Sequence, residues 1–400
     1  MPPNAAQTLH PEPESRPLAW RFPGCPAPPD WSLDFTALVN RFDWLRRMDG
    51  CPQDPIWHAE GDVLTHVGMV CRELAALPAW RALPEGERHV VFAATLLHDV
   101  AKPDCTREED GRIRSPGHTV RGARLARRVL AEDPAFGPAG TPFRVREQVV
   151  ALVRYHGLPA NFLDKPHPER SVITAAATAR PDLLAVLAEA DMRGRTCVGR
   201  DDAVDRVALF REFSAEWGCP AGPYPFSTGH SRFRYFRAQS APPTIQVFDD
   251  TRCEVTLLAG LPAAGKDTWV RAHAGDRPVI SLDALRAELG AAPTGDQGPV
   301  LAAARDEAKA HLRAGRAFVW NATNTTRMVR DGLVDLFAAY KARVRIVYCE
   351  APLPEVRRRN AARRRPVPER VIEKLIDHLD VPDLTEAHAV EHAISDACPR

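Results

Sequence analysis

Near the middle of this chain the spacing of apolar residues changes period, and that change constrains the fold more than any other feature. From Trp31 to Trp217, seven stretches repeat apolar residues at i, i+3 and i+4, the spacing of one helix face: SLDFTALVNRFDWLRRM, GDVLTHVGMVCRELAAL, GERHVVFAATLLHDVAK, GHTVRGARLARRVLAED, FRVREQVVALVRYHG, ERSVITAAATARPDLLAVLAEADMRG and DDAVDRVALFREFSAEW. No stretch there alternates like a strand, so an all-α domain is expected over 31–217. A connection dense in Gly, Pro and aromatic residues follows at 218–250. Beyond it the short apolar runs CEVTLLAG, RPVISL, RAFVWNA and RVRIVYCE are each followed by a helical stretch. That alternation predicts an α/β domain over 251–400, a parallel sheet with covering helices and a helical lid. Residues 1–30, proline-rich and without apolar period, are expected to be a disordered tail. The fold class is thus multidomain, in keeping with 400 residues, more than one ordinary core of roughly 100–200 residues holds.

Composition excludes several classes. No apolar run approaches the roughly eighteen residues a membrane helix needs. The nine cysteines are odd in number and scattered, without C-x-x-C, which argues against a disulfide framework and a thiolate zinc site. The start, MPPNAAQTLHPEPESRP, lacks the basic-then-apolar order of a secretory signal, so a cytoplasmic protein is expected. Basic and acidic residues nearly cancel, 53 against 52, so any nucleic-acid contact must be local.

Gly260-Leu-Pro-Ala-Ala-Gly265-Lys266 fits G-x-x-x-x-G-K between a predicted strand and a predicted helix. Such glycines let backbone N–H groups curl around phosphate oxygens at a helix N-terminus, and the lysine reaches the β/γ-phosphates of ATP. The next residue, usually Ser or Thr holding Mg2+, is Asp267, followed by Thr268; either side chain offers an oxygen for the ion. Asp283, at the end of the second predicted strand, lies where a general base for an attacking hydroxyl belongs, and Arg286 one turn on is suited to a substrate phosphate. An N-cap role for Asp283 is the competing reading. Asn321-Ala-Thr-Asn324 brings further polar groups to the same sheet edge. In Arg357-Arg-Arg-Asn-Ala-Ala-Arg363-Arg-Arg-Pro366, Arg359 and Arg363 at i, i+4 are expected to converge on one anion, as a lid clamp does on a transferring phosphoryl group.

GLPAAGKDTW, SLDALR, WNATN and RRNAARRRPVP together resemble the polynucleotide 5′-kinase family of P-loop proteins over about 150 residues. The resemblance implies ATP- and Mg2+-dependent phosphorylation of a 5′-hydroxyl. Zeta-toxin-like and small-molecule kinases share much of the pattern, so the acceptor stays open.

The apolar run VVFAATLL enters His98-Asp99, a pair that is costly in a core unless partnered or metal-bound. His66, His118, His156 and Asp191 fall on other apolar helices, and imidazoles and carboxylates drawn from several helices of a bundle are how di-metal sites are assembled. This H…HD…D pattern resembles the HD phosphohydrolase superfamily, and AEADMRGR is similar to a phrase in the HD domain of CCA-adding enzymes. The resemblance implies that His66, His98, Asp99 and Asp191 hold one metal and that Asp99, His118 and His156 hold a second, with Asp99 bridging. Mixed imidazole and carboxylate donors suit Mn2+, Ni2+ or Co2+. Lys102, at i+4 from His98, and Arg193 are expected to neutralise phosphoryl oxygens, with His58 and Glu60 lining the pocket.

The two halves together resemble the HD-Pnk family of bifunctional nucleic-acid end-healing enzymes over roughly 31–400. That implies RNA or DNA strand ends and ATP as partners, removal of a 3′-phosphate or 2′,3′-cyclic phosphate, 5′-phosphorylation, a nucleic-acid ligase acting afterwards, and no membrane. PYPFSTGHSRFRYFR looks like that family's connecting segment; its aromatic and basic residues fit either stacking on bases or docking one domain on the other. Two other readings fit the same motifs: an HD nucleotidase fused to a kinase for a small metabolite, and an ATP-switched sensor without catalysis.

Overall fold

A helix that is apolar on every side has to sit at the centre of its bundle. The computed structural model describes residues 20–237, 242–292 and 295–395, and in it the helix Glu85–Leu97 is buried continuously from His89 to Leu97. Around it pack Val63–Ala76, Phe143–Tyr155 and Pro181–Arg193, while His118–Glu132 lies against Phe143–Tyr155. All seven stretches with helical spacing contain helix. Two of them break: Phe42 is extended between Phe35–Arg41 and Asp43–Arg46, and ahead of Pro181 the chain turns by 110° between Pro168–Ala176 and Pro181–Arg193.

Two expectations for this half need correction. The disordered tail does not extend to residue 30. From Trp20 the chain packs on the bundle: Phe22 is 2% exposed, its ring 5.5–5.7 Å from those of Phe42, Phe92 and Phe136. Large aromatic rings offset the ordering of a segment that has no period; residues 1–19 of the expected tail lie outside the described residues. The half is also not free of strands. β1 (Arg107–Glu109) and β2 (Arg112–Arg114) form an antiparallel hairpin whose turn, Asp110-Gly111, has φ of 54° and 71° at its two residues. Asp-Gly is the sequence that this left-handed two-residue turn favours.

In the second half, β3 (Cys253–Ala259), β4 (Val279–Ser281), β5 (Phe318–Asn321), β6 (Ala342–Glu350) and β7 (Ala389–Ile394) form one parallel sheet in the order β4-β5-β3-β6-β7. The covering helices include Lys266–His273, Leu282–Glu288, Gly298–Arg313 and Arg327–Ala339. β3 is central, so the loop after Ala259 leaves the middle of the sheet's carboxyl edge, where doubly wound folds bind ligands. A Cβ at Gly260 would lie 2.2 Å from the Cys349 carbonyl oxygen, so only glycine lets this loop cross the end of β6. Leu353–Ala361 and Glu369–Asp377 flank the arginine-rich segment.

The connection is itself partly helical. In Gly229–Arg237, Phe233 is buried in the core beneath the sheet and Tyr235 in that of the helical bundle, so of the two sequence readings this segment takes the docking one. Arginines complete the joint. Arg146, 6% exposed, spans Glu147 and Glu350 at 2.8 Å each; Arg124 grips Asp380 through two nitrogens; Arg128 reaches Glu373 and Asp377; Arg357 reaches Glu132. Planar guanidinium forks suit such two-point grips better than ammonium groups. Removing the cation of a buried pair costs about 3–5 kcal/mol; here Glu147 keeps Arg127, and Glu350 is the carboxylate left without its cation. Arg146→Met is therefore expected to lower the urea midpoint by that stability at unchanged slope, while Arg358→Met, exposed on Glu355, leaves the midpoint where it was.

Candidate functional site

Helix ends position the imidazoles. His98 and His156 cap the C-termini of Glu85–Leu97 and Phe143–Tyr155, where carbonyls lack intrahelical partners, and His118 opens His118–Glu132. Each turns Nδ1 to the carbonyl three residues back: Thr95 at 2.7 Å, Val153 at 2.9 Å and Ser115 at 2.7 Å. A carbonyl only accepts, so Nδ1 carries the proton and each Nε2 keeps its lone pair for the interior.

Those nitrogens converge on Asp99. Its Oδ2 lies 3.2 Å from His98 Nε2 and 4.0 Å from His66 Nε2; its Oδ1 lies 3.6 Å from His118 Nε2 and 3.9 Å from His156 Nε2. His66 Nε2 is 3.1 Å from Asp191 Oδ1. Two donor sets result, His66–His98–Asp191 and Asp99–His118–His156, each with its ligand atoms within 4.8 Å of one another. His98 Nε2 and Asp99 Oδ1 are buried without a hydrogen-bond partner, which suits a pair of divalent cations that Asp99 joins. Burial alone would raise the Asp99 carboxyl, but the Lys102 ammonium, 2.7 Å away, and His98 hold it well below the usual range. Burial, with His98 nearby, pushes His156 down to about 3, and burial also lowers His118; both stay neutral, as ligands must.

Lys102 stands at this centre, but not one helical turn from His98: the chain leaves the helix after Leu97, and Lys102 opens the separate turn Lys102–Cys105, held by Gln53 at 2.6 Å. Arg193 is not there. It pairs with Glu189 on the surface, and Arg195 grips Asp191 at 2.9 and 3.1 Å instead. The helix ends at Arg193, and Gly194 lets the turn press against Val70, whose backbone a Cβ there would meet at 2.8 Å. His58 lines the cleft as expected, whereas Glu60 stands behind the centre, its Oε1 2.8 Å from both His66 Nδ1 and His58 Nδ1.

A cleft of about 1090 Å³ opens over Asp99, His118 and His156. Among the described residues seven cations line it, Lys102, Arg112, Arg114, Arg154, Lys165, Arg170 and Arg195, against two carboxylates, Asp54 and Asp99, so its field favours an anion. Six of the seven were missed in the sequence: Arg112 and Arg114 sit on the β1–β2 hairpin, for which Asp110-Gly111 was the available signal, Lys165 lies in a turn, and Arg154, Arg170 and Arg195 lie on helices or just past a helix end.

In the α/β half, Gly265 has φ 110° and closes the loop onto Lys266–His273, with Lys266 Nζ donating to the carbonyls of Gly260 (2.9 Å) and Leu261 (2.7 Å). Burial lowers the Lys266 ammonium to about 8. Asp267 Oδ1 accepts from Asn321 Nδ2 at 2.8 Å at the end of β5, while Thr268 accepts from Arg271 on the next turn; of the two Mg2+ candidates, Asp267 faces the sheet edge. Asp283 is not an N-cap, a role Ser281 fills; its carboxylate is exposed, pairs with Arg286, and lies 3.9 Å from Arg363. Arg359 and Arg363 do not share a helix face, because Leu353–Ala361 ends between them. Arg359, held by Glu355 at 2.6 Å, stands 4.0 Å from where a Cβ on Gly265 would lie, whereas Arg363 approaches Asp283; Asn360 ties the turn through Val367. Arg357 is committed to the joint.

Residues 63–191 match the family profile of the HD domain, and residues 255–382 that of an AAA domain. Among solved structures, a gluconokinase from Sinorhizobium meliloti 1021 is similar over 37% of this chain and 86% of its own, at 19% identity and a TM-score of 0.27. No curated protein matches the chain. Residues 63–191 thus form an HD domain and residues 255–382 a P-loop domain, the first implying divalent-metal binding and the second ATP–Mg2+ binding. No single helix among the described residues is long and apolar enough to cross a membrane.

Titration of chelator-treated protein with Mn2+ is expected to give about two ions per chain, about one for His156→Ala, and neither tightly for Asp99→Ala, which removes the shared carboxylate. Phosphate oxygens favour the charged form of Lys266 and raise its pKa, so ATP binding takes up a proton wherever the free lysine has lost it. Calorimetry in buffers of different ionisation enthalpy should show almost no uptake at about pH 7, rising towards one proton at about pH 9, and no such rise for Lys266→Arg.

Proposed function

We propose that this chain heals broken nucleic-acid ends, phosphorylating 5′-hydroxyls with ATP and removing 3′-phosphates or 2′,3′-cyclic phosphates. The observation that carries the reading is the cleft at the histidine–aspartate centre, whose surplus of cations suits a polyanion rather than a neutral metabolite. Its fusion to a P-loop lobe supplies the complementary chemistry, phosphate addition beside phosphate removal.

In the kinase reaction Lys266 exchanges its two carbonyl partners for β/γ-phosphate oxygens and the loop N–H groups hold the remainder, while Asp267 would hold Mg2+. Asp283 takes the proton of the 5′-hydroxyl as its oxygen attacks the γ-phosphorus and the bond to the β-phosphate oxygen breaks. Arg286 steadies the acceptor's phosphate, and Arg359 and Arg363 neutralise charge on the transferring group. In the other lobe, His66, His98, Asp99 and Asp191 would hold one metal and Asp99, His118 and His156 the other; when bound, such ions acidify water and polarise the phosphoryl group. Lys102 and Arg195 add positive charge at the cleft floor, and Glu60 Oε1 lies 2.8 Å from His66 Nδ1.

Lys266→Ala and Asp283→Ala are expected to lose at least 100-fold, on the order of a missing electrostatic or base contribution, in label transfer from γ-labelled ATP to a 5′-hydroxyl oligonucleotide, with phosphate release from 3′-phosphorylated ends intact. Asp99→Ala should do the reverse. Labelling of small hydroxyl acceptors in preference to the oligonucleotide, or ATP consumption without any transfer, would overturn the reading.

A further inference from the structure

Beside the metal centre, the loop Asp54–Glu60 and the β1–β2 hairpin form one wall. Asp54 joins them: its carboxylate accepts from Ile56 N at 3.0 Å and from Arg112 Nε and Nη2 at 3.0 and 2.7 Å. This wall displays two large apolar side chains, Ile56 at 58% and Trp57 at 51% exposure, and Trp57 lines the cleft directly before His58, whose Nδ1 is fixed to Glu60. An indole left half in water at the mouth of a cationic cleft has no packing role that accounts for it. Arg114 and Lys165 line the same cleft, both exposed and without an acidic partner among the described residues, whereas Lys102, Arg112 and Arg195 are engaged by carboxylates. The volume of about 1090 Å³ exceeds the roughly 300–1,000 Å³ that encloses a whole small ligand.

Resting on the end-healing reading, we propose that this cleft is a single-strand subsite: Trp57 stacks on the base of the nucleotide whose phosphate enters the metal centre, and Arg114 and Lys165 each take a phosphate of the strand behind it. A π-platform next to spaced, uncommitted cations is how proteins hold unpaired strands without reading their sequence. Stacking needs an unpaired base, which fixes the ligand as a single-stranded end. The three metal-facing side chains His66, His98 and Asp99, at most 2% exposed, can be met only by a terminus that reaches the cleft floor.

The test compares kcat/KM on a 3′-phosphorylated single-stranded oligonucleotide, a nucleoside 3′-phosphate and p-nitrophenyl phosphate. Trp57→Ala should lose about 5- to 150-fold on the two substrates that carry a base and nothing on p-nitrophenyl phosphate, with Trp57→Phe restoring most of it. Arg114→Gln and Lys165→Gln should each lower the slope of log KM against log salt by about 0.7 on the oligonucleotide, and leave the nucleoside 3′-phosphate unchanged. Equal loss on all three substrates, no loss with Trp57→Ala, or an unchanged salt slope would overturn the subsite while leaving end healing in place. A wild-type enzyme that cleaves p-nitrophenyl phosphate but no oligonucleotide would overturn both.

Discussion

The helical half is organised around one buried carboxylate at the floor of its cleft. Asp99 is 2% exposed, and an ionised group at that depth persists only where cations or strong donors surround it. Lys102 from the following turn and the imidazoles of four helices meet that requirement, and the helices are arranged to bring them there. Because the two carboxylate oxygens face different imidazole pairs, the residue that is costliest to bury is also the one that can tie two ligand sets together. The recurring bond from a ring Nδ1 to the carbonyl three residues back serves both stability and chemistry: it satisfies an orphan acceptor and leaves the opposite nitrogen available.

Arginine does comparable work elsewhere in the molecule. A neutral net balance conceals an uneven distribution, with guanidinium forks concentrated between the lobes and around the cleft. At the joint they are matched to carboxylates one for one or better; in the cleft they outnumber them. The same residue type therefore acts as a structural clamp in one place and as the source of an attractive field in another, and what separates the two roles is the presence of Asp and Glu opposite.

Strong periodicity and rigid motifs were legible in the chain itself. The change of period marked the two architectures, the apolar run ahead of His98-Asp99 located the buried helix, and the glycine spacing located the phosphate loop between β3 and its helix. What escaped was short or decided by tertiary contact. Strands of three residues, such as β1 and β2, are too brief to show alternation, and β7 carries Glu391 and His392 among its apolar residues. Arg195 rather than Arg193 meets Asp191 because a close approach at Gly194 ends the helix, which spacing alone does not reveal. Phe22 belongs to the core because of rings more than a dozen residues away in the chain. In the arginine run, sequence suggested a shared face for Arg359 and Arg363, and the helix end at Ala361 separated them.

The helix Gly229–Arg237 plants one aromatic ring in each of two cores two residues apart, Phe233 below the sheet and Tyr235 in the bundle. A change in the angle between the lobes would have to draw one of those rings out of its core, so the helix opposes a swivel at the joint. If both lobes act on one strand, its passage from one station to the other then falls to the strand rather than to a hinge in the protein.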